Sequence, residues 1–401
     1  MVSISNLVLT NEFSTIEHIK SLAFKRSASS IGETKATDYI ERELAKSNIL
    51  SEFEYFSWSG PIRILIRTSY LIILTYLLLS RLILVIAAYF VIKYMFEKTR
   101  NMTLIKKESS KNIFAQIPAK KTIKDRSIVI FSAHYDSISA NIPYRIQVII
   151  FFTYRLIIVF YSIIIVILSI WLTLDLLDFY SLPQNIVILI ALLSLSGIII
   201  SIPILYLVFN EKPSANSIDN ASGVAILIEL AKLFKKDPLN TMDLLFIWPG
   251  AEEWGLKGSK KFCEAYFEDL NQKYDLNNSI NINIDMVGTY IGLLNKVGLV
   301  RRNKLNNRIN NIFQTTANEL KIPITTYNKI FEPKSDHKAF RKCAKKLKKK
   351  LQIVYFHSDK DTKYIHSLRD TPDKCSPENL NGCLEICYHA LKSIDAEIPS
   401  I

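Results

Sequence analysis

The chain has 401 residues, a formal charge of +13 and five cysteines. No Cys-x-x-Cys pair occurs and the cysteines are few, which excludes a disulfide scaffold. With no recognised nucleic-acid module present, the basic balance points to an anionic lipid surface rather than to nucleic acid. Hydrophobic residues are 49% of the whole and concentrate in two zones. Outside those zones the length suits one ordinary globular domain.

The first long apolar run starts near Ile62, so no signal peptide is expected. Residues 12–30 are mixed and helix-compatible. Residues 33–44 are expected to form a helix, with Ala36, Tyr39, Ile40 and Leu44 on one face. Residues 52–58 alternate and are rich in aromatics, which predicts a strand, ended by Ser59-Gly60-Pro61. Residues 62–96 are strongly apolar but carry Arg63, Arg67, Arg81 and Lys93. Two short helices turning near Ser80-Arg81 are expected, as narrow spans or as a hairpin sunk into one leaflet. Residues 112–117 and 127–132 read as neighbouring strands joined by a basic turn.

Residues 146–174 and 183–209 are each long enough to span a bilayer, with Asp175, Asp178, Pro183 and Gln184 at the turn. Two crossings would return the chain to its starting side. Arg145, Arg155 and Lys212 at the outer ends place the remainder of the chain on the cytoplasmic side of an integral membrane protein. Beyond residue 212, helices are expected at 223–234, 258–267, 303–320 and 380–394, and strands at 242–248, 280–286 and 353–356. Cys375, Cys383 and Cys387 are expected to be ordinary thiols of the last helix. The predicted fold class is α/β: a mixed, mostly parallel central sheet with helices on both faces and inserted transmembrane helices. The expected divisions are 1–61, an apolar hairpin at 62–96, then 97–145, a transmembrane hairpin at 146–209, and 210–401.

Chemistry-bearing residues cluster just past the strand ends, where open α/β sheets place their sites. His134 follows one strand. Asp136, two residues on, can hold the second nitrogen of a ligating histidine. Asp219 opens a glycine-containing turn before a helix, where it either caps the first amides or bridges two cations. Glu252 and Glu253 follow an apolar strand, with Gly250, Gly255 and Gly258 tightening the turn. Adjacent side chains point apart, so one can ligate a metal while the other serves as a base. Asp285 lies in an apolar strand, where an unpaired carboxylate is costly and metal ligation answers that cost. His366 competes with His357 and His337, and chemistry alone does not choose among them. The set of hard oxygens and imidazoles suits zinc, manganese or cobalt, with enough ligands for two ions sharing one carboxylate.

The ordered motifs are His134-Tyr135-Asp136-Ser137, Asp219-Asn220-Ala221-Ser222-Gly223, Glu252-Glu253, Asp285, Ser335-Asp336-His337 and His366-Ser367-Leu368-Arg369-Asp370-Thr371. Together they resemble the co-catalytic zinc aminopeptidase family, whose superfamily also contains glutamate carboxypeptidases and glutaminyl cyclases. The resemblance runs from about residue 16 to 394, apart from the two apolar insertions. It implies a zinc-exopeptidase-like fold and two Zn(2+) ions, with Mn or Co as alternatives. It makes His134 and Asp285 ligands of one ion and Glu253 and His366 ligands of the other, with Asp219 bridging. Glu252 becomes the general base, and Asp136 the partner of His134. His366 matches through His-Ser-x-x-Asp-Thr, where many relatives have His-Thr-x-x-Asp. His357 sits in a similar local sequence and remains its competitor. The implied protein is a membrane-anchored zinc aminopeptidase acting on peptides with a free N-terminus through a metal-bridged hydroxide, with a lipid bilayer as partner. One alternative is a glutaminyl-peptide cyclotransferase, although those relatives usually have Ser where Asn220 stands. Another is a non-enzymatic membrane receptor or chaperone on a protease fold, which should have lost ligands.

Overall fold

Short runs of Ile, Val, Leu and Phe build the middle of the sheet. The computed structural model describes residues 13–59, 66, 69, 108–121, 126–140, 142–177, 183–298, 303–304 and 307–397. Its strands are β1 (Ser51–Trp58), β2 (Glu108–Ile117), β3 (Ile128–Ser132), β4 (Asp243–Trp248), β5 (Ile280–Ile284), β6 (Ile291–Val297), β7 (Asn303–Lys304), β8 (Ile324–Lys329) and β9 (Gln352–Phe356). They form one sheet in the order β1-β2-β4-β3-β5-β9-β6-β7, with β8 paired to β6. The central strands β4, β3, β5 and β9 run parallel. β2 joins β4 antiparallel, and β6 joins β9 antiparallel.

The helices are α1 (Thr15–Ser21), α2 (Ile31–Ala45), α3 (Tyr144–Leu176), α4 (Gln184–Phe209), α5 (Ser222–Lys236), α6 (Lys257–Lys273), α7 (Asn307–Glu319), α8 (His337–Lys346) and α9 (Pro377–Glu397). β3 and β4 are buried along their whole length. Ile128, Ile130, Leu245 and Ile247 share a core with Phe262 and Phe267 of α6 and Phe340 of α8. The alternate side chains face the other way: Phe131 stacks on Phe246 at 5.0 Å and meets Phe234 of α5 at 6.4 Å. Helices therefore cover both faces, which is why these strands read as continuous apolar runs. The parallel strands all end at one edge of the sheet, and the loops after β3, β4 and β5 carry the motif residues.

Chain packing divides the molecule into two units. Met1–Ser57, Ser109–Ser139 and Lys212–Ile401 form one, and Trp58–Glu108 with Ala140–Glu211 the other. In the second unit α3 and α4 pack on one another, and many of their described large apolar side chains, among them Ile149, Phe152, Phe160 and Ile199, are exposed.

The membrane expectations need correction. Among the described residues no helix is long and apolar enough to cross a membrane. A crossing needs about 20 consecutive apolar residues. Arg145, Gln147, Arg155 and Asp175 lie within α3, and Pro203 lies inside α4. The transmembrane hairpin at 146–209, the membrane anchor, the lipid bilayer partner, and the integral-membrane placement with a cytoplasmic catalytic domain are thus not supported. The hairpin expected at 62–96 lies outside the described residues apart from positions 66 and 69.

Smaller differences have local causes. Among the described residues of 12–30 only Thr15–Ser21 is helical. The helix expected from 303 begins at Asn307, after the short strand β7. β8 and α8 are not among the elements expected from the sequence. β8 has no fully buried residue, and α8 is dominated by Lys and Arg over a buried stripe of Ala339, Phe340 and Ala344. Cys375 precedes α9 and Cys383 and Cys387 lie on it; all are free thiols.

Candidate metal centre

Four loops and one irregular turn bring the ligand candidates together. His134 leaves the end of β3, Glu252 and Glu253 follow β4, and Asp285 follows β5. Asp219 lies in the turn Ser217–Ala221 that leads into α5, and His366 in the loop before α9. The Asn220 side chain, not Asp219, serves the start of α5: its Oδ1 accepts from Gly223 N at 3.0 Å and also from Met286 N at 3.2 Å. Its Nδ2 donates to Ile284 O at 3.0 Å. One amide thus ties the turn to the end of β5 and leaves the Asp219 carboxylate free to face the histidines.

Two three-residue clusters result, His134-Asp219-Asp285 and Asp219-Glu253-His366; in each, one ligand atom per residue lies within 4.8 Å of the others. Asp219 belongs to both. His134 Nε2 is 3.1 Å from Asp219 Oδ1 and 3.5 Å from Asp285 Oδ1. His366 Nε2 is 3.3 Å from Asp219 Oδ2 and 3.0 Å from Glu253 Oε1. His134, Asp219 and Asp285 are buried, and Glu253 and His366 are partly covered.

The donor chemistry fits a cation. His134 Nδ1 lies 3.1 Å from Asp136 O. A carbonyl can only accept, so this nitrogen carries the proton, and in a neutral ring Nε2 turns a lone pair toward two carboxylates. Those oxygens and that nitrogen need a positive charge between them. The same demand shows in the protonation equilibria. Burial works against charge on both imidazoles, but for His134 the surrounding Asp136, Asp219 and Asp285 prevail, and for His366 Glu253 and Asp219 do, so both are raised well above the ordinary value. Burial likewise opposes the charge on Asp219, yet His134 and His366 hold it well below the usual carboxylate range. The structure thus presents two candidate divalent-metal sites sharing one carboxylate.

Glu252 is buried and belongs to neither cluster. Burial raises its carboxyl well above the usual range; Asp336, Glu253 and Asp285 add to this and His134 opposes it. Asp136 holds both glutamates by the main chain: its Oδ1 accepts from Glu252 N at 2.9 Å and its Oδ2 from Glu253 N at 3.2 Å. Its carboxylate also lies 3.6 Å from His134 Nδ1.

The competing histidines go elsewhere. His357 Nδ1 meets Asp285 O at 3.0 Å and its ring stacks on Tyr355 at 5.3 Å. His337 is fully buried, with Nε2 3.2 Å from Glu332 Oε1 and its ring 4.3 Å from Tyr355. Neither joins a metal cluster among the described residues.

Sequence reasoning gave no role to three buried charged residues here. Asp370 Oδ1 accepts from Ile218 N at 2.6 Å, and its Oδ2 accepts from Asp219 N at 3.1 Å. Asp336 is fully buried and is pushed up to about 7 by burial. Arg26, also fully buried, carries no local motif at all. Only the His-Ser-x-x-Asp-Thr pattern flagged Asp370, and only Ser-Asp-His flagged Asp336.

Comparison with known proteins agrees with this geometry. The profile of Peptidase family M28 matches residues 209–391, less than half of the chain. Aminopeptidase YwaD of Bacillus subtilis (strain 168) is 40% identical over 77 residues, which is 19% of this chain and 15% of that relative's length. Among solved structures, BSAP, a zinc aminopeptidase from Bacillus subtilis, superposes with a TM-score of 0.55 at 15% identity, covering 95% of this chain and 94% of that one. The aminopeptidase from Aneurinibacillus sp. strain AM-1 gives 0.54 at 16% identity over 94% and 92%. A glutaminyl cyclase from Bacteroides thetaiotaomicron gives 0.53 at 13% identity over 94% and 96%. At these identities the structural likeness establishes the fold, which aminopeptidases and cyclases share. The family match, the relative and the two clusters together support an aminopeptidase-like metallo-exopeptidase. The reading as a non-enzymatic receptor or chaperone is not supported, since both clusters are assembled.

Proposed function

We propose that the chain is an aminopeptidase that hydrolyses the first peptide bond of substrates with a free N-terminus, with two zinc ions as its resident metals. The observation that carries this reading is one carboxylate, Asp219, shared by two clusters, with the carboxylate of Glu252 outside both. His134 and Asp285 would hold one ion, Glu253 and His366 the other, and Asp219 both; manganese or cobalt would fit the same donors. When bound, such a pair of ions polarises the scissile carbonyl and acidifies the attacking water. Glu252 takes the water's proton onto its carboxylate and returns it to the nitrogen of the leaving amine. Its burial favours holding that proton between the two steps. Asp136 fixes the proton of His134 on Nδ1 and, through the amides of Glu252 and Glu253, sets the spacing between base and ligand.

The test uses purified full-length chain, zinc analysis, and paired peptides with free and acetylated N-termini. Release of the first residue from the free peptide alone, with close to two zinc ions per chain, is the expected result. Release of a C-terminal residue would make the protein a carboxypeptidase. Cyclisation of an N-terminal glutamine with one zinc per chain would make it a cyclotransferase.

A further inference from the structure

The run 215–219 leads into the shared carboxylate but follows no regular backbone pattern. Asn216 has a φ of 47°, in the left-handed region. Its main-chain polar groups therefore need partners other than a helix or sheet ladder. Two buried side chains of opposite charge supply them.

Arg26 has no exposed surface. Its Nε donates to Tyr135 O at 2.9 Å. Its Nη1 donates to Phe24 O at 3.0 Å, to Ala215 O at 2.9 Å and to Leu22 O. Its Nη2 donates to Asn216 O at 2.9 Å. Every acceptor is a main-chain carbonyl. The planar fork of the guanidinium thus joins three segments: its own loop, the residue between His134 and Asp136, and the run before Asp219. Asp370, equally buried, takes the complementary groups of that same run. Its carboxylate accepts from Ile218 N and Asp219 N, and its carbonyl accepts from Ser217 N at 3.4 Å.

We propose that Arg26 and Asp370 are positioning residues that form an opposite-charge clamp on residues 215–219, the cation holding the carbonyls and the anion the amides, and so aim Asp219 at both metals. This rests on the metal-centre reading above. The two charges also support each other. Burial lowers Arg26 to about 10, and Asp370 heads the carboxylates that oppose the shift. Removing one charge leaves the other buried with less compensation.

The experiment compares the full-length parent with Arg26→Met, Arg26→Lys, Asp370→Asn and the double variant Arg26→Met/Asp370→Asn. Zinc affinity is measured by chelator competition, and folding of the metal-free proteins by circular dichroism. Hydrogen exchange is followed in the peptide covering residues 214–222. Arg26→Met and Asp370→Asn should each weaken zinc about 10- to 100-fold, as loss of a group that orients a ligand does. Arg26→Lys should recover part of the loss. The double variant should lose less than the product of the single losses, because the second change removes a charge whose compensation is already reduced. Faster exchange in 214–222 of metal-free Asp370→Asn would show the clamp without any metal. Folded variants binding zinc within twofold of the parent, or losses that simply multiply, would overturn the clamp. If Arg26→Met does not fold, Asp370→Asn and Arg26→Lys decide on the same criteria. A parent that binds no zinc would overturn the metal-centre reading itself, whereas a zinc-binding parent with unaffected variants overturns the clamp alone.

Discussion

Glu252 and Glu253 are neighbours in sequence with different surroundings. Glu253 Oε1 lies 3.0 Å from His366, inside a ligand cluster, whereas the Glu252 carboxylate stands outside both. Asp136 takes both their amides and so makes the two side chains diverge from one fixed turn. Glu252→Gln keeps the shape and removes the base. It should lower kcat by about 10²- to 10⁴-fold while zinc content stays at the parent level, and turnover near the parent value would rule out Glu252 as base. Residue by residue, Asp136, Glu252, Glu253 and Asp285 were legible because each stands at or near the end of an apolar run, where its cost demands a purpose, and Asp219 because it opens the turn before an apolar helix. The choice of His366 over His357 was not legible from the chemistry, and only the resemblance of its motif to the family favoured it. Both sit in similar local sequences, and only the path of the loop brings His366 to Asp219. Arg26 gave no signal, because its partners are carbonyls and any sequence supplies those.

At the scale of elements, the sheet holds the site by ending four parallel strands at one edge. Burial on both faces makes these strands stiff supports. Phe131 lies between Phe246 on β4 and Phe234 on α5, two residues before the loop that leads to His134. Phe131→Ala should cost about 3–5 kcal/mol of stability. A denaturant midpoint unchanged from the parent would show that this face of the sheet is not the core it is taken to be. Elements with a one-sided apolar pattern or a continuous apolar run were legible, as in α2, β3, β4 and β5. β8 and α8 were not: an edge strand with polar side chains carries little periodic apolar signal, and α8, though amphipathic, is short and sets a narrow stripe of Ala339, Phe340 and Ala344 among lysines and arginines. The apolar lengths of α3 and α4 were legible as helices, but length and composition alone do not establish a membrane crossing, and among the described residues no helix meets that requirement.

For the molecule as a whole, several carboxyls buried around the site tie stability to pH. Asp336 and Asp370 are both pushed to about 7 by burial. Their unfolded value is near 3.8, so between about pH 4 and pH 7 the folded chain binds more protons than the unfolded one, and stability falls as pH rises. Metal-free protein should therefore melt at a progressively lower temperature across that window, and Asp336→Asn should flatten the slope. A melting temperature that climbs with pH in chelator would contradict the burial of these carboxyls.

The sequence by itself determined the α/β class, the strands that carry the motifs, and the identity of the residues able to bind a metal. These follow from local patterns: apolar runs, tight glycine turns, and acids or imidazoles placed where burial would otherwise be costly. The tertiary structure brought His366, which the sequence favoured only by resemblance, to Asp219, and it alone decided that Asn220 rather than Asp219 serves the start of α5 and that Arg26 and Asp370 grip the run before it. Each of those choices depends on atoms brought together from distant parts of the chain, and no local pattern encodes which distant carbonyl, amide or carboxylate a side chain will meet.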